Sequence, residues 1–213
     1  MSNVLRIRLA AFGVLLICLF FTASAQAQNQ PKPDWSLDDM PSQEGRIFLV
    51  TGRTSGMGYE DSKALAAAGA QVVIAARNPE RGQEAIDQIK QEVPDAQVTF
   101  EPFDLADLSS IRDLGQRLNA SLPRLDGLIN NAAIMAPPER STSAEGFEMQ
   151  FAINYVGHFV LTAELLPLLR NSDAPRVITL SSIAALRGSI NFDDLHSAQA
   201  YEPMTAYAQS KLA

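Results

Sequence analysis

Cysteine is nearly absent. The 213-residue chain has one, Cys18, and it lies in an apolar leader. No intrachain disulfide can form, and the body of the chain offers neither a thiolate nucleophile nor a CxxC metal knuckle. Histidine is almost as scarce: His158 and His196 are the only two, and neither has a second histidine at metal-ligand spacing, so both read as core or loop histidines and no metal site is expected. Basic residues are outnumbered, 17 Lys+Arg against 24 Asp+Glu, and a net charge of -7 is the wrong sign for coating a phosphate backbone. Nucleic acid is therefore not expected as a partner. What remains, 46% hydrophobic and 19% charged with no internal repeat, is the composition of a globular chain with one core.

The one long uncharged run, Leu9 to Ala23, follows Arg6 and Arg8 and ends in the small residues of Ala23-Ser24-Ala25 and Ala25-Gln26-Ala27. Residues 1–27 are expected to be a secretory signal peptide or, if uncleaved, a membrane anchor. As a helix the run would measure roughly 22 Å, less than the roughly 30 Å of a hydrocarbon core. Residues 28–44 are polar and carry Pro31, Pro33 and Pro41, a linker composition, so the folded domain is expected over 45–213.

From Arg46 on, runs rich in β-branched residues alternate with helical patterns: RIFLVT, MGYEDSKALAAAG, QVVIAA, PERGQEAIDQIKQE and QVTFEPF. A helix over Leu108 to Asn119, a strand over Leu125 to Asn130, a long helix from about Gly146 to Arg170 and a strand over Arg176 to Ser181 continue the pattern. Such alternation predicts an α/β fold built of βαβ units on a doubly wound parallel sheet, Rossmann-like. VVIA and VITL do not alternate, as expected of strands buried on both faces. Asn78 before Pro79 reads as a helix start.

The first strand runs into Thr51-Gly52-Arg53-Thr54-Ser55-Gly56-Met57-Gly58, with a helix following at once. That is where a parallel α/β sheet holds a dinucleotide pyrophosphate. Gly52 would permit the tight turn, Gly56 would let backbone N–H groups approach phosphate, and Gly58 would let the helix pack closely on the sheet. The second strand ends in Arg77, where an acidic residue would favour NAD and a basic one favours the extra phosphate of NADP. Arg53 could add a second guanidinium. Tyr207 and Lys211, four residues apart, would share one helical face, and an ammonium there can stabilise phenolate and bring the tyrosine into range for proton exchange. Ser181 and Ser182 close a strand upstream.

Together these residues resemble the classical short-chain dehydrogenase/reductase family. The resemblance runs from about Gly45 to Ala213 through TGRTSGMG, Phe103 to Leu105, Asn130 to Ala133, Asn154 to Phe159, Leu180 to Ser182, and YAQSK. It implies that Tyr207 is the proton donor or acceptor, that Ser182 holds the substrate oxygen, that Lys211 lowers the tyrosine pKa and binds the nicotinamide ribose, and that Asn154 holds a proton-relay water. It further implies cofactor contacts from Thr51, Gly52, Arg53, Ser55, Gly56, Met57, Gly58, Arg77, Asp104, Leu105, Asn131, Tyr207 and Lys211, with Asn130 stabilising the central sheet. Phe192 to Leu195, the YAQSKLA ending and the 25-residue interval from Ser182 to Tyr207 look like the retinol dehydrogenase and protochlorophyllide reductase-like branch, which commonly prefers NADPH. Ala133 departs from the family's usual glycine, and Arg53 with Thr54 from its small polar pair.

The resulting expectation is hydride transfer between NADP(H) and a carbonyl or alcohol substrate, an apolar one, with pairing of two copies through the long helices. The rival is a noncatalytic dinucleotide-binding or interaction protein. The leader predicts export or membrane anchoring, while a start at Met40 would place the enzyme in the cytoplasm with NADP. By the resemblance the fold is incomplete at the C-terminus, and the chain is expected to be a fragment.

Overall fold

The computed structural model describes residues 35–52 and 56–213. The leader, residues 28–34 of the linker, and Arg53, Thr54 and Ser55 of the glycine motif lie outside the described residues. Residues Pro41–Ala213 form one compact unit, and a 3-10 turn at Leu37–Asp39 belongs to the stretch before it. The unit thus begins four residues ahead of the expected Gly45. Gln43 is the cause: it is buried, its backbone N–H donates to the Ala68 carbonyl at 2.7 Å, and its side chain bonds Pro41 and Arg46.

Five strands, β1 (Ile47–Thr51), β2 (Gln71–Ala76), β3 (Gln97–Pro102), β4 (Gly127–Asn130) and β5 (Arg176–Thr179), pair in parallel in the order β3-β2-β1-β4-β5. The order reverses between β1 and β4, and at such a switch point open α/β sheets bind ligands outside the carboxyl ends of the strands. β1 is apolar throughout its first four residues because both its faces are covered. Ile47 and Leu49 pack with Ile111, Leu114 and Leu118 of α3 (Leu108–Ser121) and with Leu161 and Leu165 beyond. Phe48 and Val50 face Ala66 of α1 (Met57–Ala67) and Ile86 and Ile89 of α2 (Pro79–Glu92). Asn78 caps α2 as its sequence suggests, accepting from the Arg81 N–H at 2.8 Å with Pro79 next in line.

Two expectations need correction. The long helix over Gly146 to Arg170 is not continuous: an α turn α4 (Met149–Phe151) leads into a π-helical segment (Ala152–Val156), then α5 (Gly157–Glu164), a joint at Leu165, and α6 (Leu166–Arg170). Pro167 accounts for the joint, since it has no N–H to donate back to the Ala163 carbonyl. The last strand ends at Thr179 and is not buried on both faces, with Val177 46% and Ile178 50% exposed. It is the outer strand of the described sheet, paired only with β4.

Candidate active site

The end of β1 and the turn after β4 are locked together by one hydroxyl. Thr51, fully buried, accepts at Oγ1 from the backbone N–H groups of Asn131 (3.0 Å) and Ala132 (3.2 Å). Its own proton has two candidate acceptors, the Ile129 carbonyl at 3.3 Å and His158 Nε2 at 2.9 Å. Asn131 completes the joint by donating from Nδ2 to the Thr51 carbonyl at 2.9 Å.

Gly52 follows with φ +105°, and a Cβ there would lie 2.7 Å from Ala132 Cα, so the chain turns where only glycine fits. At Gly56, φ is +81°, a conformation that favours glycine, and a Cβ would meet nothing within 4 Å among the described residues. A Cβ on Gly58 would strike the Asn131 amide, so α1 sits as close to the sheet as backbone allows. Met57, at the start of α1, is 68% exposed. Arg77 stands exposed past the end of β2 and makes no hydrogen bond or ion pair among the described residues.

Asp104 is engaged locally, its carboxylate accepting from the Ala106 N–H at 2.9 Å and its N–H donating to Ser110. The Leu105 side chain is turned into the core and its carbonyl lies against Gly157 of α5, so its side chain is not placed for the expected contact at the adenine end.

Tyr207 and Lys211 both lie on α7 (Pro203–Leu212), a helix whose start is capped by the Glu202 carboxylate accepting from Met204 and Thr205 N–H groups. Tyr207 is buried to 8% exposure, and its hydroxyl makes no hydrogen bond among the described residues. Lys211 Nζ donates to the Leu180 carbonyl at 2.8 Å, just past β5, and partial burial holds its ammonium below the ordinary lysine range. Ser181 Oγ ties the same helix end by donating to the Lys211 carbonyl at 2.8 Å. Ser182 is half-buried and caps a 3-10 turn (Ile183–Arg187), its Oγ accepting from the Ala184 N–H, and α7 packs on that turn.

Asn154 sits in the π segment with its carboxamide engaged at both ends. Oδ1 accepts from the Ile134 N–H, and Nδ2 donates to the Ile134 carbonyl and to Ser210 Oγ, each at 2.9 Å. Both amide hydrogens are taken, so a water held here would be the donor, to the second lone pair of Oδ1 or to the backbone carbonyl. Asn130, also buried, donates from Nδ2 to Thr162 and Thr179 across β4, and its Oδ1 has no partner among the described residues. Asn130, Asn154, His158 and Lys211 line one cavity of about 410 Å³ between α5, β5 and the end of α7.

Sequence reasoning passed over Gln150 altogether. It is fully buried, accepts from the Ala136 N–H at 2.8 Å, and donates to the Pro203 carbonyl at 3.0 Å and to the Tyr201 hydroxyl at 3.3 Å. The available signal was its spacing, four residues before Asn154 and eight before His158 in an otherwise apolar stretch.

A parallel sheet with a glycine turn at its switch point, beside a helix carrying a tyrosine and a lysine one turn apart, defines an α/β protein with the doubly wound layout of dinucleotide-binding folds. The family model described as short chain dehydrogenase matches residues 46–213, and the chain belongs to that family. It is 43% identical over 181 residues to a polyprenol dehydrogenase of Danio rerio, covering 83% of this chain and 56% of that one. To retinol dehydrogenase 14 of Mus musculus it is 41% identical over 179 residues, 79% of this chain and 53% of the other. The chain spans about half the length of these curated relatives. Among solved structures, a protein from Mycobacterium Paratuberculosis superposes with a TM-score of 0.74 at 39% identity, covering 84% of this chain and 62% of that one. The NADPH complex of a short chain dehydrogenase from Escherichia coli superposes at 0.63 with 30% identity, covering 80% and 67%. Among the described residues no helix is long and apolar enough to cross a membrane.

Proposed function

We propose that this chain supplies the cofactor site and proton-transfer groups of an NADP(H)-dependent oxidoreductase that interconverts a carbonyl and an alcohol on an apolar substrate. The observation that carries the reading is α7: Tyr207 and Lys211 stand four residues apart on one short helix, held by Lys211 and Ser181 against the carboxyl end of β5 and packed on the turn that Ser182 caps. The residues present fit a dinucleotide. A Cβ at Gly56 would meet no other described residue, and Arg77, exposed past the end of β2, has no partner among the described residues and could take a ribose phosphate. A guanidinium there favours NADPH over NADH, in keeping with the NADPH complex of the Escherichia coli relative. The polyprenol and retinol named for the curated relatives are long apolar alcohols, which is the support for an apolar substrate.

NADPH, when bound, supplies the hydride. In this reading Ser182 donates a hydrogen bond to the substrate carbonyl oxygen, which its hydroxyl can do while Oγ still accepts from the Ala184 N–H. Tyr207 gives that oxygen its proton as the alcohol forms, and takes it back in the reverse direction. Lys211 favours the resulting phenolate by its charge. Asn154 keeps the end of α7 in place through Ser210, whose Oγ donates to the Tyr207 carbonyl at 2.8 Å.

Turnover of NADPH with a panel of apolar aldehydes and ketones tests the reading and separates it from a binding-only protein. Tyr207→Phe should lower turnover by at least about 100-fold while leaving NADPH affinity nearly unchanged. A variant that keeps more than half of wild-type turnover removes Tyr207 from the proton step.

A further inference from the structure

Gln150, Asn154 and His158 are 0%, 5% and 4% exposed, and each reaches a different part of the site. Gln150 holds Ala136, Tyr201 and Pro203, and Tyr201 in turn donates to the Pro137 carbonyl at 2.8 Å, so the start of α7 is fastened to the loop after β4. Asn154 fastens the same loop at Ile134 to the far end of α7 at Ser210. His158 reaches Thr51, where the glycine turn begins. Three buried polar side chains thus join both ends of the tyrosine helix to the cofactor turn from a single helical rod.

A regular α-helix would present them along a spiral rather than a line. At about 100° per residue, eight residues turn about 800°, leaving His158 about 80° off the line of Gln150. A π turn accommodates one extra residue, and the Gly157 N–H donates to the Ala152 carbonyl five residues back, not four. The extra residue returns about 100° of rotation, bringing the three positions to within about 20° of one line.

The tautomer of His158 follows from the same geometry. Nδ1 lies 3.5 Å from the Asn154 carbonyl, which can only accept, so the proton belongs on Nδ1 and Nε2 accepts from Thr51. The Thr51 hydroxyl then donates to His158 and uses its lone pairs for the Asn131 and Ala132 N–H groups.

We propose that the π turn serves to align this polar seam and that its two outer members are positioning residues, Gln150 for the helix carrying Tyr207 and His158 for the glycine turn. The first half rests on the reading of Tyr207 as proton donor, and the second needs only cofactor binding. Substitution at the two ends should therefore fail in different ways.

The test measures NADPH Kd by fluorescence titration and kcat with a reducible apolar aldehyde, in wild type, His158→Leu, His158→Gln and Gln150→Met. His158→Leu should raise Kd about tenfold, with the loss falling on Kd more than on kcat, and His158→Gln should recover to within about threefold of wild type because its amide oxygen can accept from Thr51. Gln150→Met, which keeps the volume and removes all three hydrogen bonds, should lower kcat about tenfold or more with the loss falling on kcat more than on Kd. The proposal is overturned if His158→Gln binds as weakly as His158→Leu, or if Gln150→Met loses Kd and kcat in equal measure. Wild type that binds NADPH but reduces no aldehyde would overturn the activity reading instead, and the binding arm at His158 would then decide the seam: a Leu variant that binds as wild type ends it.

Discussion

Val72, Val73 and Ile74 of β2 are 0%, 2% and 2% exposed, whereas Val177 and Ile178 of β5 are 46% and 50% exposed, although both strands are short runs of β-branched residues in one parallel sheet. β2 lies between β1 and β3 with apolar neighbours on both faces, while β5 is paired with β4 alone. An apolar run confers the capacity to be buried, and the neighbours decide whether it is. The same contrast separates the residues whose replacement should unfold the protein from those whose replacement should be felt only by a ligand.

The largest effect is expected at Val73. An aspartate there would be an unpaired carboxylate in the core, so Val73→Asp should cost about 4 kcal/mol or more, read as loss of the folded baseline in urea denaturation. A soluble, cooperatively unfolding variant would break the contrast at its strong end.

His158 comes next because it is a titratable group placed in the interior. Burial, chiefly, with the nearby Lys211 charge in support, depresses its pKa from 6.5 to about 4, against the raising effect of the Asn154 carbonyl. The folded form holds it neutral, while the unfolded chain takes up a proton from about pH 6.5 downward. Its share of stability is therefore fully present above pH 6.5 and lost as pH falls toward 4, by about 3 kcal/mol in all. Urea midpoints measured across that window should fall with pH, and His158→Gln should flatten the slope. An unchanged slope would show that other groups carry the acid sensitivity.

Arg77 belongs to the exposed class but faces the expected cofactor. Arg77→Asp should weaken NADPH by about 1.5–3 kcal/mol and NADH much less, with unfolding stability moved by less than about 0.5 kcal/mol. Equal losses for both cofactors would remove Arg77 from phosphate recognition. The smallest effect is expected on β5: Ile178→Ser should shift stability by about 0.5 kcal/mol or less. A loss of several kcal/mol would mean that this face is covered in solution.

Most of the framework was legible because each level of the chain agreed with the next. RIFLVT and QVVIAA read as strands, VVIA as one buried on both faces, Asn78-Pro79 as a helix start, and the glycines after Thr51 stood where the switch point of the sheet falls; VITL carried the same apolar signal as VVIA and is exposed. The site was legible as a set of residues but not as a geometry. The Ser182 cap on Ala184, two residues on, is local and was passed over in favour of a substrate contact. Nothing in the letters told that Asn154 bonds Ile134 and Ser210, 20 and 56 residues away, or that Leu105 points inward, because the first depends on distant partners and the second on tertiary packing. The exposure of β5 was hidden for the same reason: a strand's sequence does not report how many strands pair with it.

The π turn gives the rod from Met149 to Glu164 a tolerance of length. Eight residue steps from Gln150 to His158 turn about 700°, the same as seven steps of regular α-helix. Deleting one residue between Asn154 and His158 should therefore close the rod into ordinary helix and leave everything beyond it facing as before. His158 would still reach Thr51, and Leu161 and Leu165, both fully buried, would keep the layer they share with α3. A regular helix of the present length would instead rotate all three by about 100°, so the turn confines one added residue to the place where it sits.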